Sequence, residues 1–237
     1  MNIRRIIRKL RSAADLFSTR ARASYSQFAE DLLVDHVLTA IAKKPNPTYL
    51  DIGTNDPVAG NNTYLFYLRG CKGVCVEPDP AIYRKIKAKR PKDIVLHAGV
   101  GIGTDKEGTL YIFPEGYTGW NTFSKEEADK RKEESGIGYS IFKHIPFIPV
   151  NEVISQHFKE APDFISIDVE GLDEAILETL DFNTWRPLVI CVETMSFSTD
   201  HQGGKIGSII TLLLEKGYVI YADTYVNTIF VRKDILN

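Results

Sequence analysis

At 237 residues, 43% of them apolar and 25% charged, the chain is sized for one large domain with a substantial core. A formal net charge of −2 gives no global field for nucleic acid, and no apolar run nears the length that spans a bilayer. Three cysteines, Cys71, Cys75 and Cys191, lack a second close pair and a nearby histidine, which argues against a disulfide framework or a zinc centre and for buried reduced thiols in a cytoplasmic protein.

The first 22 residues, MNIRRIIRKLRSAADLFSTRAR, carry seven Arg or Lys and one acid. Ile3, Ile6, Ile7, Leu10, Ala14 and Phe17 recur at helical spacing, which predicts a basic amphipathic helix over residues 1–23. It has neither the h-region nor the cleavage site of a secretory signal. Two roles suit it: peripheral contact with the inner face of an anionic membrane, or packing on its own domain or on a second copy in a dimer. SYSQFAEDLLVDHVLTAIAKK then predicts a second helix, with Ser26 as cap and Phe28, Leu32, Leu33, Val37 and Ile41 on its apolar face.

After the PNP break, strands and helices alternate. Strands are predicted at 48–52, 73–76, 94–98, 164–167 and 188–192, with helices at about 61–69, 81–89, 172–180 and 205–216. This alternation predicts a doubly wound, Rossmann-like α/β sheet. The closing runs 218–222 and 228–232, joined by a short turn, predict an antiparallel hairpin. A parallel sheet ending in such a hairpin is the layout of class I S-adenosylmethionine (SAM) methyltransferases. Between the third and fourth strands the alternation fails. Residues 105–161 predict an insertion that forms part of a lid or substrate wall, with a short strand in GTLYIFPEG, a polar helix or mobile loop in SKEEADKRKEESG and a short helix in IPVNEVISQHF.

Ligands of open α/β sheets bind beyond the carboxyl ends of the strands. The first strand ends in DIG: Asp51 can meet an ammonium group, Gly53 lets backbone approach a ligand, and Asn55 and Asp56 add polar contacts. The second ends at Glu77, 24 residues after Gly53, where a carboxylate that binds ribose hydroxyls is expected. Pro78 offers a flat surface for adenine, and Ala98 leaves room for the base. A diphosphate cofactor calls for G-x-G-x-x-G, whereas Gly53-Thr54-Asn55-Asp56-Pro57 has an acid where phosphate would be repelled. An acid-rich loop suits the sulfonium and ammonium of SAM better, with a nucleotide as the alternative ligand.

Five blocks resemble the FkbM family of SAM-dependent methyltransferases: SYSQFAEDLLVDHVL, YLDIGTNDPVAGNNTYLFYLRGCKGVCVEPDP, RPKDIVLHAGVG, FISIDVEGLDEAILETL and PLVICVET. The resemblance covers nearly everything from Ser24 onward, with one departure, the absence of a second glycine at Asn55-Asp56-Pro57. It implies an FkbM-like methyltransferase domain over residues 24–237 that methylates hydroxyls of sugars, polyketides or related small molecules.

Methyl transfer to an alcohol needs a base, or a divalent cation that acidifies the hydroxyl. Asp168 and Glu193 end neighbouring predicted strands and are the candidates for base, for positioning the acceptor, or for holding such a cation, and Asp168 is also a candidate cofactor contact beside the sulfonium. Glu170 has a second reading as a cap of the helix at 172–180. His201, in STDHQGG, is a further candidate base, and His144 a weaker one. His36, His97 and His157 read as packing or surface residues. Trp120, Asn121 and Thr122 can contact a sugar, and Asn227 can reach the pocket rim or serve the hairpin turn. Two rival functions stand beside O-methylation of a sugar in a surface glycan or its precursor. One is an NAD- or nucleotide-sugar-dependent oxidoreductase. The other is a non-catalytic SAM-fold binding module, favoured if Asp168 and Glu193 prove exposed and remote from the cofactor.

Overall fold

The computed structural model describes residues 22–196 and 203–236. The basic helix expected over residues 1–23 lies almost wholly outside them. Among the described residues no helix is long and apolar enough to cross a membrane.

Seven strands form the main sheet: β1 (Tyr49–Ile52), β2 (Gly73–Val76), β3 (Ile94–Leu96), β7 (Phe164–Ile167), β8 (Val189–Glu193), β9 (Tyr218–Asp223) and β10 (Asn227–Arg232). Their order is β3-β2-β1-β7-β8-β10-β9. The first five are parallel, and β10 runs antiparallel to both β8 and β9. This is the class I SAM-methyltransferase sheet that the sequence predicts.

The central strands read as apolar runs because both faces are covered. On one face Leu50, Ile52, Val76, Ile165, Ile167, Ile190 and Val192 pack under α5 (Val150–His157), α6 (Asp173–Thr179) and α7 (Gly207–Glu215). On the other, Tyr49, Phe164, Val189, Cys191, Ile229 and Val231 meet residues of α1 (Glu30–His36) and α2 (Tyr64–Leu68). Each fully buried Ile, Leu, Val or Phe contributes roughly 1.5–3 kcal/mol. All three cysteines are buried and free. The helix α3 (Pro80–Lys89) follows β2 immediately, because Asp79 accepts from the amides of Ala81 and Ile82 at 2.7 and 3.2 Å and Pro80 supplies a preset φ. Ser26 does not cap α1 directly: the helix starts at Glu30 behind a left-handed Ala29, and Ser26 Oγ accepts from Asp31 N at 3.2 Å.

The chain leaves the main sheet at Ala98. β4 (Gly99–Gly101), β5 (Glu107–Ile112) and β6 (Ser140–Pro149) build a second sheet in the order β4-β6-β5. The third predicted strand therefore stops at Leu96, two residues early, and Ala98 lies between two sheets. A Cβ on Gly99 would stand 2.6 Å from the Phe123 ring and 2.8 Å from that of Phe147, so glycine makes room for both rings. The charged segment is the helix α4 (Lys125–Ser135), capped by Ser124 Oγ accepting from Glu127 N at 3.2 Å and closed by left-handed Gly136. Its one buried side packs Ala128 on Tyr111 and Phe113 and sinks Arg131 inward.

Candidate active site

β1, β7 and β8 end in register, with Ile52 beside Ile167 and Ile167 beside Val192. The residues that follow, Gly53, Asp168 and Glu193, therefore meet at one end of the sheet. There a cleft opens in two lobes that share Gly53, Asn55, Gly119, Asp168 and Glu170.

One lobe is apolar. Val76, Pro78, Ala98, Val100, Leu110 and Phe123 are among its walls, and it holds about 640 Å³ counted to its open mouth, the scale of a small-molecule site. Glu77 stands on its wall, buried at the end of β2. Its Oε1 accepts from Asp79 N at 2.8 Å and its Oε2 from Asn55 N at 2.9 Å, which leaves lone pairs on both oxygens. Burial pushes its pKa up to about 7 against the pull of those amides. Asn55 takes a left-handed backbone, and its Oδ1 accepts from Thr118 Oγ1 at 3.0 Å, joining the first loop to the insertion. His97 donates through Nε2 to the Pro78 carbonyl at 3.1 Å and stacks on Tyr83, a packing role.

The other lobe is polar, lined by Gln27, Asp51, Asp56, Asn61, Asn62 and Ser166 among others. Asp51 is already engaged here. Its Oδ2 accepts from Thr63 Oγ1 at 2.6 Å and Asn61 Nδ2 at 3.3 Å, and lies 3.6 Å from the guanidinium of the fully buried Arg90. Arg90 also bonds Asp93, Tyr49 and Thr63, so its charge is matched inside the core. An ammonium group would be an additional partner of Asp51. Asn62 Nδ2 donates to Ser166 Oγ at 3.1 Å, while its buried Oδ1 has no hydrogen-bond partner among the described residues. A flat apolar lobe, a carboxylate with spare lone pairs and an orphaned carbonyl oxygen in an acidic lobe fit a cofactor with an adenine end, a ribose and a cationic end.

At the junction, one carboxylate oxygen each from Asp168, Glu170 and Glu193 lies within 4.8 Å of the others. Burial, then Asp173 and Asp51, pushes Asp168 up to about 7. Burial pushes Glu170 up to about 8, with Arg131 opposing. Glu193 is pushed up to about 11 by burial and by its carboxylate neighbours Glu170 and Asp168. Glu170 does not cap α6. Leu172 stands at the N-cap without a side-chain bond, and Asp173, the first helical residue, accepts from Val169 N and Gly171 N of the preceding turn at 3.2 Å each, while Glu170 sits at φ 58° with its carboxylate 2.9 Å from Arg131 Nη2. Asp168, one of the acids whose remoteness would mark a non-catalytic module, lines both cofactor-shaped lobes, and Glu193 stands beside it.

Trp120 borders the polar lobe, Asn121 and Phe123 wall the apolar one, and Thr122 Oγ1 donates to the Glu170 carbonyl at 3.1 Å. His144 lies on exposed β6 against Glu107 and lines neither lobe. Asn227 is buried opposite Glu193 in the β8–β10 register and donates to Glu30 Oε1 at 3.2 Å, away from the rim. His201 lies outside the described residues. Sequence reasoning missed Arg131, which is hidden in a run of alternating charge, and Asn62, which follows Asn61, whose Oδ1 accepts from the Thr63 and Tyr64 amides at the start of α2.

The model of the methyltransferase FkbM domain matches residues 51–220. A TehB-like SAM-dependent methyltransferase from Corynebacterium glutamicum is similar at TM-score 0.44 and 10% identity, covering 98% of this chain and 100% of that one. The O-methyltransferase from Bacillus cereus in complex with S-adenosylhomocysteine (SAH) gives 0.41 and 14%, over 96% and 89%. The magnesium protoporphyrin IX methyltransferase from Synechocystis with bound SAM gives 0.37 and 11%, over 98% of each. No curated protein matches the chain.

Proposed function

The chain belongs to the FkbM methyltransferase domain family, whose model spans more than half of it, and is a SAM-dependent methyltransferase; we propose that it methylates oxygen, on a sugar hydroxyl of a surface glycan or its precursor. With membership in that family the oxidoreductase alternative is set aside. The observation that carries the reading is the cluster of Asp168, Glu170 and Glu193 where the two lobes meet.

Bound SAM supplies an electrophilic methyl group on a sulfonium. Glu77 accepts hydrogen bonds from the ribose hydroxyls through its spare lone pairs. The walls from Val76 to Phe123 enclose the adenine with Pro78 and Ala98, and Gly53 and Asn55 shape the floor. Asn62 Oδ1 and the acids of the polar lobe receive the ammonium end.

The acceptor hydroxyl must lose its proton as the new bond forms. Environments that push neighbouring carboxyls apart in pKa divide acid from base. Burial and their mutual repulsion raise both carboxyls, so the pair retains a proton near neutrality. Asp168, which lines both lobes, takes the hydroxyl proton on its carboxylate, and Glu193 holds the retained proton and donates a hydrogen bond that orients the acceptor oxygen. Trp120, which borders the polar lobe, packs against the exposed Tyr117 with ring centroids 4.8 Å apart and offers a surface on which a sugar ring stacks. A second reading rests on the same 4.8 Å spacing, which also suits a divalent cation held by Asp168, Glu170 and Glu193.

Asp168→Asn tests the reading. It should keep SAH affinity and the fold yet lower turnover about 10²-fold or more. Loss of wild-type activity in EDTA, restored by Mg²⁺ or Mn²⁺, would select the cation reading, and indifference to EDTA the direct base. Full turnover in both Asp168→Asn and His201→Ala would place the chemistry elsewhere.

A further inference from the structure

Arg131 is a charged residue buried in the insertion. It is 1% exposed, although α4 is otherwise a solvated run of Lys and Glu. Its reach ties three segments together. Nη1 donates to the Trp120 carbonyl at 2.7 Å, within the loop that supplies Gly119, Asn121 and Phe123 to the cleft. Nη2 lies 2.9 Å from Glu170 Oε2 and 3.4 Å from the Glu170 carbonyl. Glu127, one turn back on α4, adds a carboxylate 3.8 Å from the same guanidinium.

Glu170 needs such a holder. A non-glycine residue at φ 58° is costly and persists where its surroundings fix it. Its carbonyl is fixed by Thr122 and Arg131, and its carboxylate by Arg131, all three contacts coming from the insertion. The next residue, Gly171, has φ 106°, and a Cβ there would stand 3.3 Å from Glu127 Cγ, so α4 rests directly on this turn. A planar guanidinium with several donors in fixed directions can span two segments at once, where an ammonium acts as a point charge.

We propose that Arg131 is a positioning residue that ties helix α4 to the Asp168–Gly171 turn and to the 118–123 loop, so that a ligand in the cleft orders the insertion. This rests on the cleft being the SAM site. Residues of α4 line neither lobe. Protection that α4 gains on ligand binding therefore passes through its packing on the rest of the protein, where Arg131 on Glu170 and Trp120 supplies the polar ties beside Glu127 on Gly171 and Ala128 on Tyr111 and Phe113.

Hydrogen exchange with SAH as the probe tests this, in the whole chain, with calorimetry run beside it. In the wild type SAH should slow exchange across residues 125–135 roughly tenfold or more. Arg131→Met should abolish that slowing and weaken SAH roughly tenfold, while amides of β1, β2 and β7 exchange as before. Glu170→Ala should speed exchange in α4, a segment it does not belong to, and the double variant should be no worse than either single one. Arg131→Lys, which keeps the charge but not the fork, should restore part of the protection. The proposal is overturned if SAH still protects α4 in Arg131→Met, or if Glu170→Ala leaves α4 unchanged. The second result decides the matter even if Arg131→Met fails to fold. Failure of SAH to bind the wild type would instead refute the cofactor site, and calorimetry reports that separately.

Discussion

Replacing Gly53 by alanine should damage both stability and cofactor binding, and the size of the effect follows from the geometry. Gly53 has φ 79°, a left-handed conformation that costs an L-residue about 1–2 kcal/mol. The new Cβ would also stand 1.8 Å from the Asp168 carbonyl oxygen and 2.8 Å from its carbon. Those are backbone atoms, fixed in part by Asp168 N donating to the Ile52 carbonyl at 3.0 Å, so no side-chain rotation relieves the overlap. Relief requires the β1 and β7 loops to part, and overpacking of this kind costs about 1–3 kcal/mol more. The total of about 2–5 kcal/mol corresponds to a fall in Tm of roughly 5–20 °C for a domain of this size. Parting those loops also displaces the shared floor of both lobes, so SAH affinity should fall roughly tenfold or more. Calorimetric melting and SAH titration measure the two effects. A Gly53→Ala protein that melts within about 2 °C of the wild type, a shift worth roughly 1 kcal/mol or less, and binds SAH unchanged would refute both the strain argument and the place of Gly53 in the site.

Glu77→Ala should weaken SAH by about 1.5–3 kcal/mol, the worth of a hydrogen bond to a charged group, and unchanged affinity by titration calorimetry would remove Glu77 from the site. The pH dependence of stability should carry the mark of the same residue. Its folded pKa of about 7 lies above the ordinary 4.5, so the folded state holds a proton that the unfolded state has released. Stability from this group is present below about pH 4.5 and is lost as pH rises through about 7. Ligand-free wild type should therefore lose more stability than Glu77→Gln on going from acid to neutral pH, and equal losses in parallel denaturant titrations would contradict it.

The parts of the fold legible in the sequence are those where burial on both faces writes an apolar run that an acid or glycine ends. β1, β2, β7 and β8 are of this kind, and Phe164–Ile167 matches its expected bounds. Glu77 was legible from its interval alone. Asp51 was legible as a buried acid at a strand end but not as the partner of Arg90, because Arg90 stands 39 positions away at the end of α3, with no local pattern to mark it. β6 was illegible because it is mostly exposed and carries Pro146, and propensity gives no signal there. Glu170 could be read as a helix cap because it is an acid just ahead of the helix, while its positive φ and its pull toward Arg131 are tertiary effects that no local pattern marks.

The order of strands at the end of the sheet carries a consequence for biosynthesis. β10 lies between β8 and β9, yet it leaves the ribosome after both. Until it emerges, β8 offers an apolar, unpaired edge, the kind of template on which nascent chains pair wrongly. The turn before β10 is also where Thr224 and Asn227 both donate to Glu30, across more than 190 residues of chain. Closure of that contact and filling of the gap beside Glu193 are one event, late in synthesis. A ribosome-bound chain halted before Asn227 would thus be a substrate for chaperones rather than an enzyme.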